Sequence, residues 1–293
     1  MSLYVFNIFI KFLLILIILK KLTYADYVIS DSDDGQSNDV STSHHFFGDL
    51  GKVLGGDNAK PHVAPYIVSI QEVSSSGKKG LHLCGGVILN ENWILTAAHC
   101  LTSKSLVQKL IIVAGAHNID IEESGTQIRK IDYYKNHDLY NGGINPYDIA
   151  LIYTKEKFIF NSNIKSIELP KSDSMPTGNA DLYGWGSISA TNTPVFPGIL
   201  QHVKMPIIDN ETCKKALGSQ SFKLHKTNLC TGPLTGGTSI CQADSGGPLV
   251  QNNKIIGIVS WGKTPCGQPN SPSVFVRVSA FIDWIKKIQK QMP

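Results

Sequence analysis

The chain has 293 residues, 42% of them hydrophobic, and a formal net charge of +4 with histidines neutral. That length and composition suit one large domain or two small ones and exclude a fibrous or wholly disordered chain. The charge is mild and no basic run is interleaved with aromatics, so nucleic acid is not an expected partner.

The chain opens on an apolar run, residues 3–19, interrupted by Asn7 and Lys11. Lys20 and Lys21 follow. The small residues Thr23 and Ala25 then occupy the third and first positions before a cut after Ala25. This reads as a signal peptide over 1–25, although a basic leading region is missing. An uncleaved anchor is the rival reading, but the run is short for a span and contains a lysine. The expected product is secreted and extracellular, with no membrane partner.

Residues 26–52 hold Asp26, Asp31, Asp33, Asp34, Asp39 and Asp49 among serines and few large apolar side chains. Such a segment cannot bury enough apolar surface to fold alone. His44 and His45 lie in it and are expected to be solvated. It ends in GDLGKVLGG, where Lys52 is a basic residue in a glycine-flanked stretch open to proteolysis. Either this is an ordinary linker, or a cut after Lys52 makes Val53 a new amino terminus.

From residue 53 onward the pattern is all-β. PYIVSIQEV, LCGGVILN, WILTAA, KLIIVAG, IALIYT, DLYGWG and KIIGIVSWG are short β-branched or aromatic runs separated by Gly, Asn, Pro and Ser. PLVQNNKIIGIV reads as two strands joined by a tight turn at Asn252-Asn253. Helical spacing is clearest at the end, where Phe281, Ile282, Trp284, Ile285 and Ile288 share a face. Many short strands with frequent turns favour barrels or a sandwich.

Six cysteines, Cys84, Cys100, Cys213, Cys230, Cys241 and Cys266, lie behind the leader. An even count in a secreted chain suggests three disulfides, with the pairing left open. No C-x-x-C or H-E-x-x-H string is present, so no metal site is expected.

Three strings carry chemistry together: LTAAHC with His99, YDIALI with Asp148, and CQADSGGPL with Ser245. A serine hydroxyl is a poor nucleophile until a neighbouring base takes its proton. Histidine suits that task because it titrates near neutrality. The imidazole needs a carboxylate to fix its tautomer, and the apolar flanks of Asp148 predict burial. A buried carboxylate is costly unless it finds a donor. Each string alone is weak; the order His, Asp, Ser with these flanks is specific.

With these three strings, residues 53–293 resemble the chymotrypsin-like (S1) serine proteases, especially the secreted arthropod enzymes. The resemblance implies an all-β fold of two packed six-stranded antiparallel barrels with a C-terminal helix and a cleft between the barrels. His99 and Asp148 would come from the first barrel and Ser245 from the second. His99 would act as general base and then general acid, Asp148 as its orienter and Ser245 as nucleophile, as in that family. It implies the pairs Cys84–Cys100, Cys213–Cys230 and Cys241–Cys266. It also implies activation after Lys52, with Val53 inserting to pair with Asp244. The expected protein is a monomer without cofactor or metal. Its expected partners are protein or peptide substrates, an activating trypsin-like protease and protein inhibitors. The segment that other members use for calcium aligns with 114–127, where Ala116 and Thr126 replace acidic ligands. Asn210-Glu211-Thr212 is a glycosylation sequon.

Ala243 departs from the family pattern. The oxyanion donors would be the backbone N–H groups of Ala243 and Ser245, and the family has glycine at the first. Glycine takes positive φ freely, whereas a Cβ adds about 1–2 kcal/mol. Either Ala243 leaves an active but slower protease, or the chain is a silent homologue that binds or regulates.

The resemblance places Ser239 at the pocket floor, where members that cut after Lys or Arg carry an aspartate. A neutral floor argues for apolar P1 residues, large aromatic or Leu first and small aliphatic second. Gly262 leaves one wall open, Ser273 narrows the pocket, and Ser260-Trp261-Gly262 would offer backbone groups to an extended substrate.

Overall fold

The computed structural model describes residues 54–73 and 80–291, all within the contact unit 49–293. The signal-peptide, pro-segment, Lys52 and Val53 readings, and His44 and His45, lie outside the described residues. Fourteen strands are present: β1 (Asp57–Asn58), β2 (Ile67–Glu72), β3 (Leu81–Ile88), β4 (Trp93–Thr96), β5 (Leu110–Ala114), β6 (Gln127–Lys130), β7 (Tyr133–Asn136), β8 (Ala150–Tyr153), β9 (Asn179–Gly184), β10 (Gln201–Ile208), β11 (Asn228–Thr231), β12 (Pro248–Gln251), β13 (Lys254–Trp261) and β14 (Ser273–Arg277).

They form two antiparallel sheets. The first runs β6-β5-β2-β3-β4-β8-β7. Only Ile131 and Asp132 separate β6 from β7, so one bent strand joins both edges and the sheet curls into a six-element barrel. The second runs β1-β10-β11-β14-β13-β12-β9, and a β9–β10 pairing closes six of these strands into a ring with β1 on its rim. Sheets closed in this way leave few free edges. The β12–β13 hairpin turns at Asn252 and Asn253, both at positive φ (51° and 58°), the geometry that asparagine tolerates.

β5 and β8 are nearly continuous apolar runs because both faces are covered, and β2 is buried on both faces although it carries Ser69 and Gln71. Ile70, Ile88, Ile94, Leu95, Ile112, Leu151 and Ile152 fill the first barrel with essentially no exposure. Leu182, Met205, Leu229, Leu249, Val259 and Phe275 fill the second. Among the described residues three short α-helices accompany the strands: α1 (Lys104–Val107), α2 (Asn210–Leu217) and α3 (Ile282–Gln289). Asp209 caps α2 by accepting from the Thr212 N–H at 2.8 Å. α3 buries Ile282, Ile285 and Ile288. Disulfides join Cys84–Cys100, Cys213–Cys230 and Cys241–Cys266, the pairs that the family pattern implies.

Several backbone hydrogen bonds join the two halves, and one of them lies beside the serine loop. The Gly85 N–H, in β3, donates to the Ser245 carbonyl at 2.8 Å. A side chain on Gly85 would collide with the Gly247 backbone, so the close approach requires glycine.

Candidate active site

β4 ends at Thr96 and the chain turns into a single 3₁₀ turn, Ala98–Leu101, that carries His99. The Cys84–Cys100 bridge ties this turn to β3. Asp148 precedes β8 and is 1% exposed. The residue before it, Tyr147, has φ 67°, a left-handed backbone, and its carbonyl accepts from the Ile149 N–H at 2.8 Å. This tight reversal is braced by aromatic contacts: the Tyr147 ring stacks on His137 at 5.0 Å and meets Phe281 and His225. Strain before a buried carboxylate persists only when packing over-determines it.

Three donors surround Asp148. His99 Nδ1 lies 2.7 Å from Oδ2, the His99 N–H donates to Oδ1 at 2.9 Å, and the Ser260 hydroxyl donates to Oδ2 at 2.7 Å. A carboxylate only accepts, so Nδ1 carries the proton. In the neutral ring this leaves Nε2 as the basic nitrogen. The Ser260 side chain bridges from β13 of the second barrel, a contact that the sequence reading missed because it assigned Ser260 a backbone role.

His99 and Ser245 line the same cleft of about 310 Å³, with Ile144, Gln242, Ser260, Trp261 and Gly262. The loop around Ser245 is pinned by its own backbone. Asp244 N–H donates to Cys241 O, Gly247 N–H to Asp244 O, and Gly246 N–H to Val259 O. The N–H groups of Ala243 and Ser245 have no acceptor among the described residues.

Ala243 has φ 70°. The left-handed backbone is therefore adopted despite the Cβ, and two contacts hold it. The Gln242 carbonyl accepts from the Ser187 N–H at 2.8 Å, which turns the Ala243 N–H, on the far side of that trans peptide, the other way. The Ala243 carbonyl accepts from His82 Nε2 at 3.0 Å. His82 Nδ1 must then accept, and the Ser69 hydroxyl donates to it at 2.7 Å while accepting from Gln71 Nε2 at 3.0 Å. Burial pushes the His82 imidazole down to about 4, against the opposing effect of its bond to Ala243, so it is neutral at pH 7. Its ring also meets the edge of Trp185 at 5.7 Å. Neither His82 nor Ser187 stands in a sequence motif, and only the fold brings them to the loop.

Asp244 points inward and is 1% exposed. Its carboxylate accepts from Gly186 N–H and Cys241 N–H, both at 2.9 Å. A side chain on Gly184 or Gly186 would occupy the carboxylate's space. Burial pushes this acid up to about 7, more than the two backbone donors hold it down.

Ser239, read as the pocket floor, and Ser273, read as narrowing the pocket, take other partners. Ser239 and Ser273 are 3% and 1% exposed. Ser239 Oγ donates to the Ile240 carbonyl at 2.6 Å and accepts from the Gly267 N–H at 3.0 Å. Ser273 Oγ accepts from the Ile240 N–H at 3.1 Å. Ile240, which the sequence reading passed over, lines the cleft, as do Trp261 and Gly262. In the segment aligned with calcium sites, the Glu123 carboxylate accepts from the N–H groups of His117 and Asn118 and closes the loop itself. Asn210 begins α2 and is half-buried.

Residues 53–285 match the family model described as Trypsin. The chain is 38% identical over 250 residues to the lectizyme of Glossina austeni, covering 80% of this chain and 86% of that protein. It is 33% identical over 236 residues to a trypsin of Sus scrofa (80% and 95%) and 34% identical over 235 residues to an anionic trypsin of Canis lupus familiaris (80% and 88%). A matched region that spans both barrels, with a histidine–aspartate pair facing a serine across their junction, makes this chain a member of the trypsin family of serine endopeptidases.

Proposed function

We propose that the chain is a secreted endopeptidase, made as a zymogen, whose triad is His99, Asp148 and Ser245. Residues 1–25 are its signal peptide, 26–52 its acidic pro-segment and 53–293 its protease domain. His99 Nε2 takes the Ser245 proton as Oγ attacks the scissile carbonyl, and returns it to the leaving amine. Asp148 keeps Nδ1–H oriented and stabilises the imidazolium. The tetrahedral oxyanion is received by the free N–H groups of Ala243 and Ser245. The observation that carries this reading is the saturated His99–Asp148–Ser260 arrangement in the cleft that also holds Ser245.

Activation is a cut after Lys52 by a trypsin-like protease. The buried Asp244 supports it: among the described residues it has backbone donors and no cation, and a new Val53 ammonium would supply one. The pro-segment has no cysteine and so leaves once cut. The mature enzyme acts as a monomer on protein or peptide substrates, takes no cofactor, and is open to protein inhibitors. It cleaves after apolar residues although several relatives are named trypsins, because among the described residues no acid lines the cleft to receive a cationic side chain. Asn210 carries a glycan. The doubly pinned Ala243 favours an active enzyme over a silent homologue.

The test is a cut at Lys52 followed by a p-nitrophenyl ester. A burst of p-nitrophenol equal to the enzyme present is expected, with labelling of Ser245 by a fluorophosphonate. Correctly cut protein that gives neither result sinks the reading.

A further inference from the structure

Ile240 and Gly262 face each other across the substrate cleft. A Cβ placed on Gly262 would stand 3.3 Å from Ile240 Cγ1 and 3.5 Å from its Cδ1. The Gly262 Cα and the isoleucine branch are therefore at most about 5 Å apart, adding one carbon–carbon bond. A flat ring slotted between two walls needs about 7 Å, two carbon–carbon contact distances. The isoleucine occupies the width that an aromatic P1 side chain would use.

Ile240 is held there. Its N–H donates to Ser273 Oγ, and its carbonyl accepts from Ser239 Oγ, whose remaining capacity takes the Gly267 N–H. It is 4% exposed and belongs to the buried cluster that includes Val259 and Phe275. The two serines thus support the isoleucine from behind rather than greet a substrate. The cleft lining includes Ile240 and neither serine.

We propose that Ile240 is the residue that sets specificity, a plug that limits P1 to small aliphatic side chains such as Ala and Val. The proposal deepens the endopeptidase reading and rests on it. It reverses the size order expected from the neutral floor alone, in which large apolar residues came first. Ile240 lies next to Cys241, and the Cys241–Cys266 bridge fastens both lips of the cleft. The plug is therefore not expected to swing aside as a loop would.

The test uses full-length protein cut at Lys52 and tetrapeptide p-nitroanilides differing only at P1: Ala, Val, Leu and Phe. Wild type is expected to favour Ala and Val. Ile240→Ala should raise the ratio of kcat/KM for Phe over Ala by about 10- to 100-fold, the range for a few carbons in an apolar pocket. Ile240→Val trims one methyl group and puts folding at little risk, and should raise the ratio by a smaller step. A wild-type preference for Phe, or a ratio unmoved in both variants, overturns the proposal. Fluorophosphonate labelling is independent of P1 size. Wild-type protein that refuses the label removes the catalytic reading itself, whereas labelled protein with the wrong P1 order removes only the plug.

Discussion

Asp148, supplied by the first barrel, and Asp244, supplied by the second, are both 1% exposed, yet their surroundings differ. Asp148 accepts from a backbone N–H, an imidazole and a hydroxyl. Asp244 accepts from two backbone N–H groups only, and burial drives its acid towards neutrality. The backbone is strained in both halves and held differently in each. Each half has a disulfide and one non-glycine residue in the left-handed region, but Tyr147 is braced by aromatic rings, whereas Ala243 is held by hydrogen bonds from His82 and Ser187. The first half of the site is complete as folded. The second depends on what other segments supply, and that is where activation and variation can act.

The sharpest way to break the complete half is Asp148→Asn. Its amide would present a donor where the carboxylate accepts from Nδ1–H, favouring the wrong imidazole tautomer. A fall in kcat of about 10⁴-fold is expected, as for serine triads generally, with KM little changed. A loss of only a few-fold would show that the pair does not serve catalysis.

The dependent half is probed through His82. Its removal frees the Ala243 carbonyl and lets the alanine leave the left-handed region. His82→Ala should lower kcat by about 100-fold, the cost of one oxyanion donor. Ala243→Gly in the same chain should restore much of that loss, because glycine holds positive φ without a clamp. Equal losses in both backgrounds would show that the imidazole acts by packing alone. Ser260→Ala links the two halves. It removes one bond to a charged group, about 1.5 kcal/mol, and should cost about tenfold in kcat/KM.

These contrasts explain what could be read in the chain beforehand. His99, Asp148 and Ser245 sit in short strings whose flanks reveal both strand and chemistry, and runs such as KLIIVAG show their period directly. β10 was missed because QHVKMPII mixes buried and exposed positions around Pro206. β6 and β7 were missed because QIRK and YYKN are half-polar edge segments. Ile240 was invisible for another reason. It sits one residue beyond a serine that alignment to a pattern puts at the floor, and only backbone geometry shows that the serine turns to support its neighbour. Ser69, His82 and Ser187 are 56 to 174 residues from Ala243, so no local pattern could join them to it.

The smallest effect separates the two halves by pH. In the uncut protein His82 has a pKa of about 4, below its ordinary 6.5, and Asp244 one of about 7, above its ordinary 3.8. Between pH 4 and 6.5 the unfolded chain protonates His82 and the folded protein does not, so this group makes stability rise with pH. Over the same window the folded protein keeps the Asp244 proton and the unfolded chain has lost it, so this group makes stability fall. Each slope is at most about 1.4 kcal/mol per pH unit, and the two oppose. Asp244→Asn removes one of them. In urea titrations at pH 4.5, 5.5 and 6.5, the variant should gain stability with pH relative to the parent, while every other carboxylate adds the same background to both. Under the proposed activation, cutting after Lys52 should act in the same direction, since an Asp244 paired with the new amino terminus would be ionised. Parallel curves for all three proteins would mean that Asp244 is not held protonated before activation, and the incompleteness assigned to the second half would lose its electrostatic basis.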